Sequence, residues 1–278
     1  MTQRTVILTG ASDGIGAVAA RILRARGDRV VLVGRSPEKT RSVAESIGAD
    51  YLLADFARLD DVRKLAADLL ERYPRIDVLA NNAGGILGAR TITEDGNEQT
   101  LQVNHLAPFL LTNLLIERLA TCGATVVNTS SVANARFARF DVDDLNAEKG
   151  YSENRAYGNA KLANILFTTE LHSRFFDRGI STAAFHPGIV ATSFGTGSTS
   201  IMRVIYRSAF SAFLISPEQG ADTLVWLATT VPGVDWVSGA YYDKRRIARA
   251  NPQAYDPALA ARLWDRSAEL VGLPVVPR

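Results

Sequence analysis

One cysteine, Cys122, and three scattered histidines, His105, His172 and His186, are all the thiol and imidazole groups in this 278-residue sequence. A single thiol excludes an intramolecular disulfide, and no Cys/His cluster has metal-site spacing, so no metal is expected. No run of about 18 apolar residues occurs, so no membrane span is expected. A strand-like run begins almost at Met1 and leaves no room for a secretory signal, which makes the cytoplasm the expected location. Net charge is small: 31 basic residues against 29 acidic ones give +2, too little for a nucleic-acid footprint. No linker, long repeat or low-complexity tract divides the sequence, so residues 1–278 are read as one domain.

What is present is alternation. Strand-like runs fall at Thr5–Thr9, Arg29–Val33, Tyr51–Ala54, Val78–Ala80, Thr125–Asn128, Ser181–Phe185 and Gly239–Tyr242. Helical patterns lie between them, near Ala17–Arg26, Pro37–Ile47, Asp60–Tyr73, Glu98–Leu119, Ala156–Phe176 and Pro217–Thr229. Such alternation predicts an α/β fold, a doubly wound parallel sheet with helices on both faces. Ligands of such sheets sit at the carboxyl ends of the strands. Thr9, Gly34, Asp55, Asn82 and Ser131 all lie at or just beyond predicted strand ends.

Two motifs carry chemistry. Thr9-Gly10-Ala11-Ser12-Asp13-Gly14-Ile15-Gly16 follows the first strand and opens a helix. Strand, glycine turn and helix together make a dinucleotide site, with the pyrophosphate at the helix N-terminus. Gly10, Ser12, Gly14, Ile15 and Gly16 are the candidate contacts. Tyr157 and Lys161 stand four residues apart on a predicted helix and share one face. A cation beside a phenol favours the phenolate and lowers its pKa from about 10. That pair is a candidate acid/base working near neutrality.

The order of these motifs, with Asn81-Asn82-Ala83-Gly84, Asn104, Ser131 and Pro187-Gly188, resembles the short-chain dehydrogenase/reductase family. Tyr157-Gly-Asn-Ala-Lys161-Leu-Ala-Asn164 and the tail Ala261-Arg262-Leu263-Trp264 to Glu269-Leu270 resemble its retinol dehydrogenase-like branch. The resemblance implies a Rossmann-type fold and an NAD(P)-dependent oxidoreductase acting on CH–OH and C=O groups. It implies that Ser131, rather than Ser130, hydrogen-bonds the substrate carbonyl and that Asn104 positions a water in a proton relay. Tyr157 would be the acid/base, with Lys161 tuning it and holding the nicotinamide ribose. Asp55 would contact adenine, Asn82, Ala83 and Gly84 would line the adenosine side, and Pro187, Gly188 and Thr192 would hold the nicotinamide end.

Cofactor choice is read at the second strand end, where Gly34 is followed by Arg35 rather than by an acid. A guanidinium suits a 2′-phosphate, so NADPH is expected over NADH, with NADH still open. Asp13, in the glycine loop, opposes that preference unless it only caps the helix.

Ser131 and Tyr157 are 26 positions apart, about twice the usual family separation. The added stretch near 138–154 is acidic and reads as a solvated loop, or else as a border of the substrate mouth. Residues 194–216 are strongly apolar after a glycine-rich opening and read as a lid over a hydrophobic pocket, or else as a surface contact. The expected partner is a lipophilic small-molecule carbonyl or alcohol. Homo-oligomer formation stays open. A nonredox nucleotide-binding regulator and an epimerase or dehydratase are the alternatives. A pure sensor needs no proton relay, and only about 86 residues follow Thr192, little room for an epimerase's substrate region.

Overall fold

The computed structural model describes residues 3–188 and 215–275. Strands β1 (Thr5–Thr9), β2 (Arg29–Gly34), β3 (Asp50–Leu53), β4 (Val78–Asn81), β5 (Thr125–Thr129), β6 (Ser181–His186), β7 (Tyr241–Asp243) and β8 (Arg246–Ile247) form one sheet. Their order is β3-β2-β1-β4-β5-β6-β7-β8. The chain winds outward from β1 in one direction and from β4 in the other. The two halves therefore part at the carboxyl ends of β1 and β4, where a parallel sheet leaves a crevice.

Six neighbouring strand pairs are parallel; β7 and β8 are antiparallel, through Tyr242 with Ile247 and Asp243 with Arg246. The expected parallel sheet is therefore present through β7, with an antiparallel β8 added at this edge. Two-residue β8 carries no periodic signal that a sequence reading could use.

Helices cover both faces. Val6 and Leu8 point to the layer of α1 (Gly14–Ala25), α2 (Pro37–Ile47) and the helix Pro217–Thr229. Ile7, between them, points to the opposite layer, built on α3 (Leu59–Arg72) and the later helices. That alternation is the period of a pleated strand. Buried Val, Ile and Leu on both faces make these strands read as nearly continuous apolar runs.

The predicted helix over Glu98–Leu119 is broken. It becomes α4 (Gln99–Leu101), a π-helical turn Gln102–Leu106, α5 (Ala107–Leu114) and α6 (Ile116–Cys122). Pro108 supplies one cause: it has no N–H to donate to the carbonyl of Asn104 four residues earlier. Cys122 ends α6, and Gly123 follows in the left-handed conformation. Short α7 (Ala133–Arg136) and long α8 (Glu153–Phe175) precede β6. α9 (Pro217–Thr229) opens with a reciprocal capping box of Ser216 and Gln219.

Helix α10 (Pro257–Leu270) was not among the predicted elements. Its Trp264 ring lies 5.0 Å from Phe109, 5.7 Å from Phe167 and 6.0 Å from Phe175, with the Arg174 guanidinium 4.8 Å above it. α10 thus closes the apolar face of α5 and α8. The acidic stretch near 138–154 is also docked rather than merely solvated. Phe140 and Val142 are buried, Asn146 Oδ1 accepts from Glu98 N at 2.8 Å, and Arg262 of α10 pairs with Asp143 at 2.8 Å.

Trp264→Ala empties an aromatic site at the junction of three helices. Urea unfolding should show a loss of about 3–5 kcal/mol, the range for truncating a buried aromatic. A loss within about 0.5 kcal/mol, as for a surface substitution, would mean that α10 does not hold the domain together.

Candidate active site

The glycine loop is built by close approach. A Cβ on Gly16 would stand 2.2 Å from the carbonyl oxygen of Gly10, so only glycine lets α1 begin against the loop. Asn82 fixes the loop from the end of β4: its Nδ2 donates to the carbonyls of Thr9 at 3.0 Å and Gly10 at 3.3 Å. Thr9 Oγ1 accepts from the backbone N–H groups of Asn82 and Ala83, each at 3.0 Å. The Asn82 side chain is therefore part of the scaffold. Ser12 lies beside β2, where a Cβ on Gly34 would meet it at 3.1 Å.

That packing sets Arg35, which is exposed, next to the loop. Asp13 is the N-cap of α1; it accepts from Gly14 N at 2.7 Å and pairs with Lys39 Nζ at 3.5 Å. Its carboxylate is thus engaged by a cap and a cation, and Lys39 adds a second positive group that the sequence reading missed. Asp55 is half-buried after β3, where its Oδ1 accepts from Ala57 N at 3.0 Å in a side-chain turn. Pro187 and Gly188 follow β6, and His186 Nδ1 accepts from Gly188 N at 3.4 Å and Val132 N at 3.3 Å. Thr192 and residues 194–214 of the expected lid lie outside the described residues.

Gly84 brings the loop after β4 against Asn104 and Lys161. A Cβ there would stand 2.4 Å from Asn104 Oδ1 and 3.0 Å from Lys161 Nζ. Asn104 is fully buried in the π-helical turn; its Oδ1 accepts from Gly85 N at 3.0 Å and its Nδ2 donates to Gly85 O at 2.9 Å. The loop after β4 is thereby locked to the turn. Lys161 is 1% exposed, donates from Nζ to Thr129 O at 3.2 Å, and lies 5.5 Å from the centre of the Tyr157 ring. Burial pushes its pKa down to about 7, because a low-dielectric setting disfavours the ammonium. A lysine so placed can gain or lose a proton near neutrality.

The two serines after β5 differ sharply. Ser130 is buried, and its Oγ donates to the Lys161 carbonyl at 2.7 Å. Ser131 is half-buried, and its Oγ accepts from Ala133 N at 3.2 Å, leaving its own O–H to donate. Asn134, another residue the sequence reading missed, clamps the Ser131 carbonyl through Nδ2 at 2.6 Å and also donates to the Tyr241 hydroxyl at 3.3 Å. Tyr157 packs with Ile86 and Ala133 in a small buried apolar cluster. The structure brings Asn104, Lys161 and Gly84 into contact and sets Tyr157 beside them.

These residues suit a dinucleotide. The glycine loop presents the N-terminus of α1 at the carboxyl end of β1, and the exposed Arg35 beside it and the buried Lys161 are basic groups able to meet phosphate and ribose oxygens. Among the described residues, no group of three His, Cys, Asp or Glu side chains could hold a metal. Nor is any helix among them long and apolar enough to cross a membrane.

Comparison with known proteins agrees with this geometry. Residues 4–201 match the family described as "short chain dehydrogenase". A Streptomyces sp. (strain C5) protein named "Putative daunorubicin C-13 ketoreductase DnrU" is 47% identical over 276 residues, covering 97% of this chain and 93% of that one. Human "Retinol dehydrogenase 13" is 38% identical over 283 residues, covering 97% and 85%. A crystal structure of an uncharacterized protein from Mycobacterium Paratuberculosis superimposes with a TM-score of 0.79 at 31% identity, covering 99% and 96%. The chain belongs to the short-chain dehydrogenase/reductase family, in its retinol dehydrogenase-like branch, and is an NAD(P)-dependent oxidoreductase of carbonyl and alcohol groups.

Proposed function

We propose that this chain is an NADPH-preferring reductase and dehydrogenase of a lipophilic small molecule, with Tyr157 as its acid/base. The observation that carries the reading is the buried Lys161 ammonium, 5.5 Å from the Tyr157 ring and reached on its other side by the close approach of Gly84. A bound nicotinamide dinucleotide supplies the hydride in reduction and takes it up in oxidation.

In reduction, the Ser131 hydroxyl donates to the substrate carbonyl oxygen and orients it. Hydride adds to the carbonyl carbon as the C=O π bond opens, and the Tyr157 hydroxyl gives its proton to the oxygen. Lys161 steadies the phenolate left behind, then helps return a proton to it. Asn104 shapes this path by fixing Gly85 and the π-helical turn. Oxidation runs the same steps backwards.

The lipophilic substrate is argued from the wall of Ile86, Ala133 and the Tyr157 ring beside the reacting hydroxyl. Relatives named for daunorubicin and for retinol point the same way. NADPH is argued from Arg35 just after β2 and Lys39 in the first turn of α2, with Asp13 held as a cap and an ion-pair partner. Asp55, Asn82, Ala83, Pro187, Gly188 and Thr192 keep the cofactor roles that the family pattern implies. One domain over 1–278 and a cytoplasmic location complete the proposal.

Tyr157→Phe removes the transferable proton and keeps the ring. Carbonyl turnover should fall at least about 10²-fold, with NADPH affinity largely kept. Ser131→Ala should cripple turnover in the same assay, whereas Ser130→Ala should cost about 1 kcal/mol of stability and little activity per folded molecule. Wild-type turnover in Tyr157→Phe would remove this residue from the chemistry, and equal damage from the two serine variants would undo the choice of Ser131.

Arg35→Ala should weaken NADPH by about 1.5–3 kcal/mol, tenfold to over a hundredfold, and leave NADH nearly unchanged. Asp13→Ala should shift the ratio the other way and more weakly. Dissociation constants for both cofactors at one salt concentration check this, since screening acts on exposed charges. An unchanged ratio in Arg35→Ala, or a wild-type preference for NADH, would make Arg35 an ordinary surface charge.

A further inference from the structure

Asn164 lies one helical turn beyond Lys161 on α8, so both side chains share a face. It is 4% exposed, and its side-chain polar atoms are engaged on two other elements, the π-helical turn and β5. Its Nδ2 donates to the Asn104 carbonyl at 3.0 Å and to the Thr129 carbonyl at 3.0 Å. Its Oδ1 is 3.3 Å from His105 Nδ1, and His105 Nε2 is 2.9 Å from Ser267 Oγ on α10.

The chemistry fixes each direction. Carbonyls only accept, so the amide nitrogen must face Asn104 and Thr129. The amide oxygen then faces His105 and also only accepts, so His105 carries its proton on Nδ1. Burial pushes the His105 pKa down to about 4, so the ring is neutral and Nε2 accepts from the Ser267 hydroxyl. One continuous line of donors thus runs from Ser267 through His105 and Asn164 to two carbonyls of the site. Chains oriented in one direction strengthen one another.

Both carbonyls bear on the proposed chemistry. Thr129 O accepts from Lys161 Nζ as well as from Asn164, so its two lone pairs are both taken. Asn104 O is the group for which Pro108 has no N–H. We infer that Asn164 is a positioning residue of the catalytic centre, which holds Lys161 and the Asn104 turn in register through the Thr129 and Asn104 carbonyls and is itself oriented by His105 and Ser267. The inference rests on the carbonyl reductase reading and goes beyond it by giving α10 a part in aligning the site.

The test uses full-length Asn164→Leu and Asn164→Asp, with Ser267→Ala perturbing the line from its far end. Asn164→Leu keeps the branched heavy-atom skeleton and loses both the donors and the acceptor. Its kcat for carbonyl reduction should fall about tenfold to a hundredfold, the scale for a small misplacement of reacting groups. NADPH affinity and KM should stay close to wild type. Asn164→Asp sets an acidic group beside Lys161, and the alkaline limb of its pH–rate profile should move up by about one pH unit. Ser267→Ala should lower kcat in the same sense but less.

A purely structural asparagine would lower kcat only in proportion to the folded fraction and leave the pH limb in place; that result overturns the inference. Unchanged kcat in Ser267→Ala overturns it too, should the Asn164 variants not fold. If the wild type reduces no carbonyl, the functional reading fails by itself. NMR titration of the Lys161 side chain then decides: an upward shift in Asn164→Asp sustains the positioning role, and no shift refutes it.

Discussion

Holding an ammonium almost wholly out of water is the constraint around which this structure is arranged. Among the described residues Lys161 has no carboxylate partner; it has the Thr129 carbonyl and the neighbouring Tyr157 ring. Burying a charge with so little compensation is costly, and the lowered Lys161 pKa expresses that cost. Gly84 must lack a side chain to let the loop after β4 approach Lys161, and Ser130 turns inward so that its hydroxyl donates to the Lys161 backbone carbonyl.

The carboxy-terminal part of the chain acts on this centre from outside. Asn251 donates from its backbone N–H to Asn134 Oδ1 at 2.9 Å, and Asn134 clamps Ser131. Gln253 exchanges hydrogen bonds with the backbone of Phe140, at 2.9 and 3.3 Å, and so pins the added stretch between β5 and α8. Ser267 reaches the other side of the site through His105. Residues distant in sequence from any motif therefore determine where the motif residues stand. Sheet and Asn82 fix the glycine loop, while α10 and its preceding turn brace Ser131 and the π-helical turn.

Much of this was legible in the sequence because it rests on local rules. The first seven strands, the helix Pro37–Ile47 with its Ser36 cap and Gly48 stop, and the strand–glycine–helix unit all follow from periodicity and capping. The inward turn of Ser130 and outward turn of Ser131 follow from strand alternation. Tertiary choices were less legible. The π-helical turn at Asn104 had a visible signal in Pro108, yet periodicity alone made residues 98–119 look like one helix. Asn164 had a signal too, its helical spacing from Lys161, but nothing local tells that its donors meet carbonyls of two other elements. The docking of the acidic stretch depended on Phe140 and Val142 finding a core that only the folded chain supplies.

In the function proposed above, this arrangement moves a hydride and a proton on a lipophilic carbonyl. The most direct measurement supplies the wild-type protein with NADPH deuterated at the reactive nicotinamide carbon and a panel of bulky ketones and aldehydes, and analyses the products by mass spectrometry and NMR. The account predicts an alcohol bearing one deuterium on its carbinol carbon, formed in step with NADPH oxidation and faster than with NADH. Tight NADPH binding with no deuterium transferred to any carbonyl, and no oxidation of the matching alcohols, would contradict it and leave a nucleotide-binding regulator in its place.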